Sequence, residues 1–201
     1  MNKIIILIGA TASGKDTILN EVLKFPNVEP AISVTTRPMR EGEQEGKEYY
    51  FTNNYKFGNM ARNKEFIETR KYITICNGKS ALWQYGMPKS EFIGLENNIN
   101  KVLIVDYEGY KELKEKLINE LNFDPAEVLG IYVQCSVKTR ILRSLERNGQ
   151  NDSDCYEIAR RILNDKDKVE IAKDKVDFTL INETKTDLER NISFIKDLLN
   201  R

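Results

Sequence analysis

The sequence predicts an α/β fold built on a parallel core sheet, and three observations carry that expectation. Short apolar runs such as Ile4–Ile8 and Val102–Asp106, the latter ending in a carboxylate, alternate with stretches of helical periodicity. Strands buried on both faces read this way when helices cover each side of a parallel sheet. The first run ends in a glycine-containing turn, Gly9–Lys15, that opens a helix. The alternation is interrupted once, by a polar and β-rich stretch in the first half, which predicts an inserted mixed β segment.

Taken in order, Ile4–Ile8 is a buried strand, and Asp16–Lys24 repeats apolar residues at helical spacing through Ile18, Leu19, Val22 and Leu23. Pro26 and Pro30 bracket a turn before a strand near Ala31–Thr35. Arg37–Asn54 is polar and charged, closing on a short strand at Tyr49, Tyr50 and Phe51. Asn63–Thr69 carries a second strand signal, and Tyr72–Ile75 with Ala81–Tyr85 suggests a hairpin about Asn77-Gly78. Val102–Asp106 is a buried strand with a carboxylate at its end, followed by an amphipathic helix over Tyr110–Leu121 and a strand at Gly130–Gln134. Val137–Leu145 and Glu157–Ala172 read as helices flanking a polar loop, Arg147–Asp154. Phe178–Ile181 is a last strand and Leu188–Leu199 a closing helix.

The 201 residues fit one domain with a proper core. Lysine plus arginine equals aspartate plus glutamate at 31 each, so the chain lacks the basic excess of a nucleic-acid binder. No histidine is present, which excludes Ser-His and Cys-His catalysis and histidine-ligated metal centres. Cys76, Cys135 and Cys155 are too widely spaced for a metal cluster and odd in number, so free thiols are expected. The opening apolar run has the wrong length for a signal peptide and no stretch reaches membrane-spanning length. A cytoplasmic protein with neither a membrane nor a nucleic-acid partner is the expectation.

Gly9, Ala10, Thr11, Ala12, Ser13, Gly14 and Lys15 match the glycine-rich phosphate-binding pattern G-x-x-x-x-G-K, in the strand-to-helix setting it requires. Its backbone N–H groups converge on a phosphate, the helix adds its positive end, and Lys15 supplies a mobile charge. One position departs. Asp16, followed by Thr17, replaces the Ser or Thr that ordinarily holds Mg²⁺. Asp16 is either an acidic residue favoured in a helix's first turn or a carboxylate near the metal, acting through water.

Arg37 and Arg40, three apart, with Tyr49 downstream could clamp a dianionic phosphate; bare, the cluster could equally be a solvated surface. The stretch from Ser33 through Thr35-Thr36-Arg37, Arg40, Gly42-Glu43, Gly46, Tyr49 and Phe51 resembles the guanylate kinase family. Phe66-Ile67-Glu68, Tyr85-Gly86, Asp106 with Gly109, Arg143, Arg147, Arg161 and Asn182 extend the likeness over nearly the whole chain.

The resemblance implies a P-loop kinase fold with a parallel core sheet, an inserted mixed β acceptor-binding segment and a helical lid. The core would comprise residues 1–32, 88–146 and 158–201, the monophosphate-binding segment 33–87 and the lid 147–157. It implies transfer of a phosphoryl group from ATP to GMP, with Mg²⁺ as cofactor, by a monomer or homodimer. Arg37, Arg40, Tyr49 and Tyr85 would hold the GMP phosphate, with Asp106 also on the GMP side. Ser33 would face guanine O6, and Glu68 would accept from guanine N1–H and N2–H. Residues 9–17 and Asn182 would hold ATP, and Lys15, Arg143, Arg147 and Arg161 would serve the moving phosphoryl.

Three departures stand out, the first and third of them beside the base site. Met87 stands where the family has a small hydroxyl residue touching the base, Ile104 replaces an aspartate two residues before Asp106, and Thr69–Gln84 is about eight residues longer. Two other readings resemble parts of the sequence. Ribose 1,5-bisphosphate phosphokinases share Gly14-Lys15-Asp16 but are not expected to keep Arg40, Tyr49 and Glu68 together. Non-catalytic guanylate-kinase-like binding modules lose the phosphate loop that this chain has.

Overall fold

The computed structural model describes residues 2–40, 42–76, 79–96, 98–148 and 151–200. Five strands form a parallel sheet: β1 (Ile4–Ile8), β2 (Val28–Pro30), β7 (Asn100–Ile104), β8 (Val128–Gln134) and β9 (Phe178–Ile181), in the order β2-β7-β1-β8-β9. Every residue of β1 is buried, and the period of two along a strand splits them between two cores. Ile4, Ile6 and Ile8 pack with Tyr107, Tyr110, Leu113 and Leu117 of α3 (Tyr107–Leu121). Ile5 and Leu7 pack on the other face with Ile18 and Val22 of α1 (Lys15–Val22) and Ile195 and Leu198 of α6 (Lys185–Leu199). The continuous apolar run is thus one strand sandwiched between helices.

The chain leaves β1 toward β2 on one side, while β8 and β9 extend the sheet on the other. Such a reversal leaves a crevice beyond the carboxyl end of β1, where ligands of parallel α/β sheets settle.

A second sheet, β4-β3-β6-β5, is built from β3 (Val34–Thr35), β4 (Tyr50–Phe51), β5 (Phe66–Cys76) and β6 (Lys79–Pro88). β3 pairs parallel to β4 and antiparallel to β6, which makes the inserted sheet mixed, as expected. β5 and β6 form one long antiparallel ribbon rather than a separate strand and a small hairpin. Its expected turn, Asn77-Gly78, lies outside the described residues. The strand expected at Ala31–Thr35 is also redrawn. Val28–Pro30 joins the edge of the core sheet, where a proline without an N–H is tolerated, and Val34–Thr35 belongs to the second sheet.

α2 (Asn54–Arg62) escaped sequence reading because it buries only Phe57 and contains Gly58; Asn53 starts it, accepting from the Lys56 N–H at 2.9 Å. Among its described residues, the loop expected over Arg147–Asp154 is mostly helical. α4 (Val137–Asn148) carries Arg147, and α5 (Asp152–Lys173) begins five residues earlier than its apolar repeat suggested. α3 likewise starts early, because the Asp106 carboxylate caps it by accepting from the Gly109 N–H at 2.7 Å.

Gly86 allows close packing within the second sheet. A Cβ there would sit 2.7 Å from the Phe66 ring, which stacks on Phe57 with centroids 4.6 Å apart. Gly86→Ala should therefore destabilise the protein by about 1–3 kcal/mol, through overpacking beside the strand that presents Tyr85. Urea unfolding measures it, and an unchanged midpoint would refute the contact.

Candidate active site

The loop after β1 combines two left-handed glycines with side-chain braces. Gly9 (φ 156°) approaches the backbone of Val133, where a Cβ would lie 2.7 Å from its carbonyl oxygen. Gly14 (φ 98°) starts α1 with no side chain capping the helix, so its N-terminus faces the crevice uncovered. Asn182, 3% exposed, donates to the Ser13 carbonyl at 2.8 Å, and Arg143 donates to the same carbonyl at 3.3 Å and to that of Glu183 at 3.1 Å. Both predicted residues stand behind the loop.

Arg140 and Asp165 complete the brace, and sequence reading missed both. The buried Arg140 guanidinium donates to the Thr11 carbonyl at 2.8 Å and to Asp165 Oδ2 at 2.6 Å; that same carboxylate oxygen accepts from the Thr11 N–H at 2.7 Å. The loop is thereby tied to α4 and α5 together. Nothing in an arginine on a charged helix singles it out beforehand.

Lys15 reaches back to the Ala10 carbonyl at 2.8 Å. Burial lowers its ammonium to about 8, with the Asp16 and Asp165 carboxylates opposing the shift. Asp16 and Thr17 are exposed on the first turn of α1. Ser13 Oγ is buried without a hydrogen-bond partner among the described residues.

Facing this loop is a cavity of about 290 Å³ lined by Gly9, Lys15, Ser33, Tyr49, Glu68, Tyr85, Ile104 and Asp106, together with Arg70 and Tyr72. The tyrosines interlock, Tyr85 lying edge-on to Tyr49 (5.7 Å) and to Tyr72 (5.5 Å). Arg37, 3% exposed, sits over the rings of Tyr49 (5.2 Å) and Phe51 (5.6 Å) and is gripped bidentately by Glu43 at 2.8 and 3.0 Å. Arg37 does not itself line the cavity, opening instead on a separate one with Pro38 and Asn53, and neither does Arg40. Arg40 lines a neighbouring cleft of about 390 Å³ with Thr11, Arg147, Asp154, Glu157 and Arg161. Arg147 and Arg161, both expected at the moving phosphoryl, and the second arginine of the acceptor motif thus share one opening.

Glu68 is 4% exposed, and its Oε2 has no hydrogen-bond partner among the described residues. Burial pushes its carboxyl up to about 7; Arg70 pulls it down, while Glu112 and Asp106 push it further up. Asp106 accepts from the Tyr72 hydroxyl at 2.5 Å, and Arg70 reaches it at 3.5 Å. Arg70 and Tyr72 were not anticipated. Their signal was present in the sequence: with Glu68 they fall at alternate positions, on one face of a strand. Met87 is paired across the ribbon with Glu68 but does not line the cavity; it is 1% exposed, in the core cluster that holds Ile67.

An uncapped helix start cradled for phosphate, opposite an inserted sheet offering aromatic hydroxyls and a buried carboxylate, defines the class of nucleoside monophosphate kinases. The guanylate kinase family model matches residues 1–201. A guanylate kinase of Prochlorococcus marinus (strain MIT 9312) is 32% identical over 185 residues, covering 90% of this chain and 89% of its own. One from Wolbachia pipientis wMel is 26% identical over 205 residues, covering 98% of this chain and 89% of its own. The crystal structure of guanylate kinase from Anaplasma phagocytophilum superposes with a TM-score of 0.64 at 22% identity, over 99% of this chain and 85% of that one. The chain belongs to the guanylate kinase family. Among the described residues no helix is long and apolar enough to cross a membrane.

The raised Glu68 carboxyl has a consequence for stability. Between its ordinary value near 4.5 and about 7 the folded chain binds a proton that the unfolded chain has released. Stability therefore falls as pH rises through that window and levels off above it, by an amount on the order of 3 kcal/mol. Glu68→Gln should gain on wild type between pH 5 and 7.5 in urea melts, and a pH-independent gap would refute the shift.

Proposed function

We propose that this chain transfers the γ-phosphoryl of ATP to GMP, with dGMP second, by direct in-line displacement. The observation that carries the reading is Glu68. A buried carboxylate with an unmatched acceptor oxygen, in a cavity shared with Lys15 and two tyrosines, suits the adjacent N1–H and N2–H donors of guanine. Adenine offers no such pair and would leave the carboxylate unmet. A ribose bisphosphate has no base at all, so Glu68 and Asp106 would be idle with that acceptor.

In this reading residues 9–17 and Asn182 belong to the ATP side, the segment 33–87 to the acceptor and 147–157 to the lid. Bringing two phosphates into line is opposed by repulsion, so the chain's contribution is positioning and charge neutralisation. Lys15 spans from the loop toward the acceptor cavity; Arg147 from the lid and Arg161 from α5 beyond it line the neighbouring cleft, and Arg143 holds the loop from behind. Tyr49, Tyr85 and Arg37 orient the acceptor phosphate, while Arg40 approaches from the lid side of the opening. Closure over both substrates excludes the water that would otherwise hydrolyse ATP.

Mg²⁺ would supply charge neutralisation at the β- and γ-phosphate oxygens. Among the described residues no group of three metal-ligating side chains exists, and the exposed Asp16 and Thr17 are the donors beside Lys15. A sparse set of that kind fits a cation that keeps several waters and takes its other ligands from phosphates. A cytoplasmic location accords with this substrate pair.

Coupled release of ADP measured across GMP, dGMP, AMP, CMP, UMP and ribose 1,5-bisphosphate tests the proposal. GMP should give the highest kcat/KM, and any other acceptor outpacing it would overturn the base assignment.

Asp16→Ala should raise the Mg²⁺ requirement and lower kcat while leaving the KM for GMP near wild type, and Asp16→Ser should recover part of the loss. Superimposable curves of kcat against magnesium for wild type and Asp16→Ala would reduce Asp16 to a helix-end charge worth about 0.3–1 kcal/mol.

A further inference from the structure

Two buried polar atoms in the acceptor cavity have no hydrogen-bond partner among the described residues, and they are neighbours: Glu68 Oε2, an acceptor, and Arg70 Nη2, a donor. They lie 3.7 Å apart, attracted by charge but too distant to satisfy each other. The rest of the Arg70 guanidinium is committed. Nη1 donates to Glu112 Oε2 at 2.8 Å and to the Thr69 carbonyl at 3.3 Å, and Nε points to Asp106 Oδ1 at 3.5 Å. The fork is therefore fixed by its surroundings, with one N–H-bearing nitrogen left over beside the carboxylate. Buried donors and acceptors without partners are rare enough to call for a ligand.

We propose that Arg70 is a specificity-determining residue that reads the acceptor base, donating from Nη2 to guanine O6 while Glu68 accepts from N1–H and N2–H. The inference rests on the GMP reading above. Guanine presents an acceptor, O6, directly beside a donor, N1–H, and the cavity presents the complement in the same order. Adenine presents the reverse, an amino donor beside a bare ring nitrogen. It would face Arg70 with donor against donor and Glu68 with acceptor against acceptor, a double mismatch. Arginine's affinity for the O6 edge of guanine is general chemistry, seen wherever guanidinium meets that base.

The sequence departures fall into place around this role. Met87 stands where a hydroxyl would touch the base, yet its side chain is 1% exposed in the core and gives the base nothing. Arg70 lies on the same long ribbon, paired across it with Tyr85, where the chain is longer than expected. The ribbon supplies from β5 the donor that β6 no longer offers.

The test measures kcat/KM with GMP, 6-thio-GMP and AMP for wild type, Arg70→Ala and Arg70→Lys, together with the KM for ATP and the melting temperature. Sulfur is a weak hydrogen-bond acceptor, so 6-thio-GMP has already lost most of what Arg70 recognises. Arg70→Ala should lower kcat/KM for GMP by about 10–100-fold, chiefly through KM, and lower it for 6-thio-GMP by less than about threefold. The KM for ATP should stay unchanged. Arg70→Lys keeps the positive charge among Glu68, Asp106 and Glu112, so it folds even where the alanine variant does not, and it should still lose most of the preference for GMP over the thio analogue. Equal losses on the two analogues, or tighter GMP binding once Arg70 is removed, would overturn the assignment; the latter would make Arg70 an obstacle in the pocket. Wild type inactive on GMP would overturn the underlying reading and this one together. Wild type active on GMP with indifferent Arg70 variants would overturn this one alone.

Discussion

Backbone N–H groups can gather round an anion only where the loop that bears them is held still, and the rest of this structure depends on how that is done. A five-residue strand buried on both faces delivers the loop, and polar side chains immobilise it. Asn182 and Arg143 take the Ser13 carbonyl, and Arg140 with Asp165 takes both backbone groups of Thr11. These contacts come from α4, from α5 and from the segment after β9, so the phosphate cradle is a junction of the C-terminal half of the chain. Hydrogen bonds to charged groups are individually worth about 1.5–3 kcal/mol, and a buried network of them specifies one loop conformation better than glycine flexibility could.

The opposing wall solves a different problem. It gathers Glu68, Asp106 and Glu112 in a small space, and Arg70 is the cation that makes their proximity tolerable. Burial then acts unequally on them. Glu68, the deepest, is pushed toward protonation, whereas Glu112, held by Lys116 and Arg70, stays below its ordinary range despite its own partial burial. One arginine and one lysine thus sort carboxylates of the same chemistry into different proton affinities.

Much of this was legible in the sequence, for identifiable physical reasons. The core strands announced themselves because burial on both faces leaves no room for polar residues. The loop Gly9–Lys15 did so because left-handed backbone at Gly9 and Gly14 admits few other residues. What escaped notice depends on partners far away in sequence. α2 buries one large side chain and so has almost no periodicity to detect. The β5–β6 ribbon reads as a separate strand and a small hairpin, because the polar Arg70-Lys71 step breaks the apolar signal until its two strands are seen paired. Arg140 is an ordinary helix arginine until Thr11, 129 positions away, is found against it. Arg40 shows the converse: local spacing grouped it with Arg37 and Tyr49, while the fold turns it toward the lid cleft.

The position of β1 also governs how the chain can be made. Ile4–Ile8 leaves the ribosome well before its neighbours in the sheet, Lys101–Ile104 and Val128–Tyr132. At ordinary rates of synthesis its second neighbour arrives roughly 6–25 s after it. Until then five consecutive aliphatic residues, among the most β-prone the chain contains, have no native surface to cover them. A chain that stops short of Tyr132 lacks part of one of the two strands that flank β1, so burial of β1 has to wait for β8.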